Sequence, residues 1–162
     1  MKYKKIKICV TLFLILCTLF SSINVLAADE RLGETIDGSM LTENLESESI
    51  IYSVRRGTFL SYGTGGITND GNRRVSISGR TVCYSTCDKV KVTLYLQRLS
   101  GSSWVTVATL GPKTATNTYT VSASNSYTVT GGYYYRVYGS HIAFDGGTSE
   151  AVASVTDGIW IP

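Results

Sequence analysis

The chain has 162 residues, 15 Lys+Arg against 12 Asp+Glu and one histidine, for a formal net charge of +3. Four of those lysines fall within Met1-Lys2-Tyr3-Lys4-Lys5-Ile6-Lys7, and without them 11 basic residues face 12 acidic ones. The basic balance of the whole chain is therefore no argument for a nucleic-acid partner.

The lysine cluster leads into Ile8 to Phe20, a run without charge that ends at Ser21, Ser22 and Asn24. A basic n-region before an apolar h-region is the pattern of a secretory signal peptide, and Val25-Leu26-Ala27-Ala28 supplies small residues for cleavage after about Ala27. A membrane span needs roughly 20 apolar residues, more than the run provides. A lipidated Cys17 would need a small residue before it, where Leu16 stands. Residues 1–27 thus predict a protein secreted to the extracellular medium, with no membrane attachment after cleavage. Cys9 and Cys17 leave with the signal, and the remaining 135 residues are enough for one domain with a core.

Residues 28–50 differ in kind from the rest of the chain. From Asp29 to Ile50 there are seven acidic residues against Arg31 alone, with no aromatic, and Gly33 and Gly38 break a loose helical spacing of Leu32, Ile36, Met40 and Leu45. This reads as an acidic leader, linker or pro-segment ahead of a domain at 51–162, where ten basic residues face five acidic ones.

From Ile51 onward the dominant period is two. Val90, Val92, Leu94 and Leu96 alternate with polar neighbours, the pattern of a half-buried antiparallel strand. Ile51–Tyr62, Arg74–Ser78, Trp104–Leu110, Thr118–Ala123, Tyr133–Tyr138 and Ala151–Thr156 read the same way, and Gly158–Ile161 continues the last. Asn69-Asp70-Gly71-Asn72, Ser100-Gly101-Ser102, Ser124-Asn125-Ser126, Gly131-Gly132 and Asp145-Gly146-Gly147 mark turns. Seven or eight short strands predict an all-β domain, a single antiparallel β-sandwich, with a small β-barrel as the alternative. Gly131 to Val137 resembles the tyrosine-bearing strand of immunoglobulin-like and fibronectin type III domains.

Two cysteines remain in the domain, Cys83 and Cys87, and in an exported chain such a pair predicts a disulfide. Four residues of straight strand span about 13 Å, beyond the ~7 Å that a bridge allows between Cα atoms. A bridge therefore requires the backbone to turn at Ser85-Thr86, ending one strand at Cys83 and starting the next near Lys89. A redox role is disfavoured by the spacing of three intervening residues, and a zinc site by His141 being the sole histidine.

Ser140, His141 and Asp145 are close in sequence, but neighbours on a strand point to opposite faces, so proximity is no triad. Asp70, Asp88, Asp145, Glu150 and Asp157 sit, nearly all of them, beside Gly or Lys in turns and need no catalytic explanation. No catalytic residue, metal or cofactor is expected. If Tyr133, Tyr135 and Val137 face inward, Tyr134, Arg136 and Tyr138 form an outward stripe. With His141 they make a candidate ligand surface, against the alternative of cross-strand pairing. Trp104 and Trp160 read as core or edge-covering residues, and Arg55-Arg56 and Arg73-Arg74 as solvated charge.

Cys83 to Val90, Tyr95 to Gln97, Gly132 to Val137 and Thr156 to Ile159 together resemble a group of short secreted β-proteins of Gram-positive bacteria, carried as a domain of unknown function. The resemblance covers most of residues 55–161 and implies an exported β-domain. The expected function is a secreted, non-enzymatic binding or structural module, meeting cell-wall polymer, glycan or protein and not nucleic acid. The alternatives are a toxin-like or antimicrobial effector with a removable acidic pro-segment, and a carbohydrate-binding module.

Overall fold

The computed structural model describes residues 40–53 and 59–162. The signal sequence and Arg55-Arg56 lie outside them. The described residues form eight strands and no helix: β1 (Leu41–Thr42), β2 (Glu46–Tyr52), β3 (Leu60–Gly71), β4 (Arg74–Ser100), β5 (Ser103–Thr128), β6 (Tyr133–Asp145), β7 (Thr148–Val155) and β8 (Gly158–Ile161). All belong to one sheet, in the order β1-β8-β6-β4-β3-β2, with β5 on β4 and β7 on β6. The sheet curls into a half-barrel. The all-β expectation holds, and the barrel-like alternative describes the molecule better than a sandwich of two separate sheets.

The turns follow local chemistry. Asn72 and Arg73, at φ 50° and 59°, join β3 to β4, and Gly146 and Gly147, at 54° and 83°, join β6 to β7. Two consecutive positive-φ residues are the tight hairpin whose twist matches that of the flanking strands. Ser124-Asn125-Ser126, expected as a turn, instead continues β5 opposite Ser76, Ile77 and Ser78. The cross-strand hydrogen bonds available there outweigh the turn tendency of Ser and Asn.

The largest departure from expectation is the length of β4 and β5. Arg74–Ser78 and Val90–Leu96, read as separate strands, are parts of one 27-residue strand. Straight, it would be roughly 90 Å long, far too long for a domain of this size. It bends instead. Along one side β4 pairs with β5; along the other, Arg74–Cys83 pairs with β3 and Lys89–Arg98 with β6. The bend is marked by a register break in which Val82 faces Thr120 and Cys87 faces Thr118, leaving Cys83 to Thr86 opposite Tyr119 alone. Such an excess of residues bends the strand and increases its twist. The sequence expectation of a turn between Cys83 and Cys87 is thus met by a wide bulge within one strand.

Folding back puts the two halves of β4 face to face. A methyl group added to Gly79 would lie 2.5 Å from Cδ2 of Leu94 and 2.9 Å from the carbonyl oxygen of Thr64. The core closes between the halves: Ile67, Val75 and Ile77 from one side meet Val92, Leu94, Leu96, Tyr135 and Val137 from the other. A smaller cluster of Phe59, Leu60, Cys83, Cys87, Val90 and Ala143 fills the bend.

The domain also begins earlier than Ile51. Glu46–Tyr52 pairs with Thr68–Tyr62 residue for residue, and Leu41–Thr42 runs parallel to Gly158–Ile159. The amide of Asp157 donates to Ser47 Oγ at 2.9 Å and that of Gly158 to the Met40 carbonyl at 2.7 Å. Leu41–Thr42 and Glu46–Ile50 are therefore part of the sheet, which corrects the reading of 28–50 as a leader for these residues, while residues 28–39 lie outside the described ones. The acidic side chains misled because Glu46 and Glu48 alternate with Ser47 and Ser49 on an edge strand, where outward charge is ordinary.

Replacing Gly79 by Ala places a methyl group against both Leu94 and a backbone oxygen. Overpacking of this kind costs about 1–3 kcal/mol, and urea unfolding of Gly79→Ala should show a loss of that size with an unchanged m-value.

Candidate functional site

His141 lies on β6 with no exposed surface. Its Nδ1 is 2.9 Å from Thr81 Oγ1 and its Nε2 is 2.8 Å from Ser154 Oγ. Thr81 Oγ1 also donates to the Lys91 carbonyl at 2.9 Å. With its one proton committed there, Thr81 can only accept from the ring, so Nδ1 carries the hydrogen and Nε2 accepts from Ser154. The resulting Ser154–His141–Thr81 chain has the distances of a nucleophile and its base, but all three residues are buried. Glycines close around them: a methyl group on Gly63 would lie 2.3 Å from the imidazole and one on Gly139 2.5 Å from Ser154 Oγ. Ser154 has no exposed surface. The chain is a hydrogen-bonded strut joining β4, β6 and β7, and His141 does not belong to the candidate ligand surface.

Burial holds the imidazole pKa down at about 4. Unfolding frees it to bind a proton near pH 6.5, so between these values the unfolded state holds more protons and stability is lost as the pH is lowered. Equilibrium unfolding should show a loss of about 2 kcal/mol from pH 7 to pH 5, and His141→Gln should abolish that part of the slope.

The rest of the expected stripe is divided. Arg136 is buried, at 2% exposure, against the expectation that it faces outward with Tyr134 and Tyr138. Its Nε donates to Gln97 Oε1 at 2.8 Å and its guanidinium stacks 4.4 Å from the Trp104 ring. The alternation did point it to the outer face; Trp104, arriving from β5, covers it there. Tyr138 stands opposite Tyr95, with ring centroids 6.0 Å apart, and Tyr134 opposite Trp160 at 5.0 Å. Both are cross-strand pairs of the kind that stabilises a sheet.

Cys83 and Cys87 are both buried, and their thiols are free in the structure. The Cys87 thiol donates to the Ser85 carbonyl at 3.5 Å within the bulge. Burial first, then interaction with the neighbouring Cys87 thiol, pushes the Cys83 thiol up to about 12. Burial likewise raises the Cys87 thiol. Neither is a thiolate at neutral pH, which leaves both poor nucleophiles.

Accessible concavities lie elsewhere. One groove, of 380 Å³, is lined by Tyr62, Thr64, Ser78, Arg80, Ser122 and Ser124 with Gly79 and Ala123. A second, of 220 Å³, continues from it through Ser78 and Ser124 to Thr68, Ser76 and Ser126. Both lie on the outer face of β3, β4 and β5. The registers set Arg80 opposite Ser122, Ser78 opposite Ser124 and Ser76 opposite Ser126, two ladders of small hydroxyl side chains. Arg80 Nε donates to Ser122 Oγ at 3.1 Å, Ser76 donates to Asp70 Oδ2 at 2.6 Å, and Ser76 and Ser126 are 2.9 Å apart. A third groove, of 390 Å³ and of mixed polar and apolar lining, opens between Leu96, Ala108, Tyr127, Thr128, Thr130 and Tyr135, with Arg98 also lining it and stacked 4.4 Å from Tyr133.

The serine ladders were missed in the sequence, although Ser76-x-Ser78 and Ser122-x-Ser124-x-Ser126 alternate in plain view. Only the pairing of β4 with β5 sets the two runs side by side.

No curated protein matches the chain. A family model described as a family of unknown function, DUF6147, matches residues 26–158, and the chain belongs to that family.

Proposed function

We propose that the chain is an exported, non-enzymatic binding module that attaches to a polymer of the cell envelope of a Gram-positive bacterium. The signal-like residues 1–27 support export. The observation that carries the binding reading is the separation of chemistries. The groups that resemble catalytic ones, Ser154, His141, Cys83 and Cys87, are enclosed in the core. The open grooves on the outer face present hydroxyls, a tyrosine and an arginine. Such a surface holds a ligand by contact and hydrogen bonding and has no activated nucleophile to cut it. The reading of a removable pro-segment sits poorly with β2, since cleavage after Ile50 would strip the strand that pairs along β3.

Purified protein mixed with insoluble cell wall should co-sediment with it; recovery wholly in the supernatant at low salt would refute the reading.

Export also bears on the cysteines. In an oxidising compartment the two adjacent thiols are placed to close a disulfide, pinning the bulge by a short loop worth about 2 kcal/mol in the chain-entropy model. Protein recovered from culture medium should resist alkylation at both positions until it is reduced and unfolded. Alkylation of both after unfolding without reductant would show that the bridge does not form.

A further inference from the structure

Outward faces of strands usually carry long or branched side chains, which leave little concavity. On β4 and β5 that cover is missing. Ser76, Ser78, Ser122, Ser124 and Ser126 are short, and beside them Gly66 contributes no side chain, its position already crowded by Ser78 Oγ, 2.9 Å from where a methyl group would lie. The groove is thus written into the sequence as a choice of small polar residues where valine or threonine would pair better. From Tyr62 to Thr68 it runs about 20 Å along the strands.

The chemistry of the lining selects the ligand class. Among the described residues, the hydroxyls of Ser78 and Ser124 have no partner and face solvent, while those of Ser76, Ser122 and Ser126 are oriented by hydrogen bonds. At one end Tyr62 packs against Tyr52, centroids 5.8 Å apart, so its ring is held in place. Among the described residues Arg80 is the only charged residue that lines either groove, its Nε already bonded to Ser122, while the carboxylates of Asp70 and Glu48 adjoin Ser76 and Gly66. A polyanion would require a row of cations. A lipid surface would require an exposed apolar face. A peptide that extends a sheet does so along the backbone groups of an edge strand, which a face lacks. What remains is a ligand rich in hydroxyls along its length and flat enough to stack on a tyrosine.

Building on the envelope-binding reading, we propose that this groove binds an uncharged linear glycan. The serine ladders exchange hydrogen bonds with sugar hydroxyls, and Tyr62 stacks on the sugar at the end of the site.

The test is titration calorimetry of the purified protein with linear β-1,4-linked hexasaccharides of glucose and of N-acetylglucosamine, and with polyglutamate as an anionic probe. The comparison is with the double variant Ser78→Val, Ser124→Val, in which valine suits a strand while filling the groove and removing two hydroxyls. We expect binding of at least one neutral hexasaccharide, unchanged by raising salt. The double variant should lose about tenfold or more in affinity, with a melting temperature equal to or above the parent's. Tyr62→Ala, judged against its own thermal melt, should weaken the same binding. The proposal is overturned if neither neutral hexasaccharide binds, if polyglutamate binds more tightly, or if the folded double variant and Tyr62→Ala bind as the parent does. Co-sedimentation with wall that persists in the double variant would sink this site while leaving the envelope-binding reading standing. Absence of co-sedimentation in the parent would remove both.

Discussion

Everything in this fold depends on the long hairpin β4–β5 bending back on itself. A two-stranded ribbon of this length has no core of its own, and one isolated hairpin is marginal in water. Bent at the bulge of Cys83 to Thr86, it becomes both halves of a half-barrel, and each half recruits different partners: β3 and β2 on one side, β6, β7 and β8 on the other. The close approach of Leu94 to Gly79 is the contact that measures how tightly the halves meet. A larger residue at 79 would hold them apart, and the cluster of Ile67, Val75, Ile77, Val92, Leu94 and Leu96 would lose its continuity.

Polar groups inside the curl are placed by the same closeness. His141 is set across from β3, where Gly63 gives it room, and an imidazole in that position can be buried only if both nitrogens are satisfied. Thr81 and Ser154 do this from β4 and β7, so the ring connects three strands by two hydrogen bonds. The geometry looks like a charge-transfer arrangement, but the third member is a threonine with no charge to offer an imidazolium. Burial opposes that charge as well. The network is of the kind that specifies one packing of the core, since a half-satisfied version would be costlier than an apolar one.

The outer faces divide into two characters. On the β6 half, aromatic rings from facing strands close over each other and over Arg136, leaving a surface that is largely paired with itself. On the β3–β4–β5 half, serines leave the sheet shallow and wet. The first arrangement stabilises the sheet, and the second gives up cross-strand packing for accessibility. A site on a rigid sheet face holds its hydroxyls in fixed positions, which lowers the entropy lost when a ligand binds.

The period-two alternation from Ile51 onward, the glycine-bearing turns and the absence of helical periodicity determined an all-β domain from the chain alone. The five-residue spacing of Cys83 and Cys87 likewise implied a departure from straight strand between them, on the condition that the two approach each other. These are local properties, decided by which side chains alternate and which residues accept positive φ. Tertiary structure decided whether Ser78 and Val90 belong to one strand or two, whether Glu46 to Tyr52 joins the sheet, and which outward side chains remain outward. Arg136 alternates as an exposed residue and is buried because Trp104, 32 positions away, lies on it. Ser78 and Ser124 form one surface because β4 and β5 pair in that register and no other. Alternation assigns a residue to a face of its own strand, whereas cover and neighbours on that face come from strands distant in sequence.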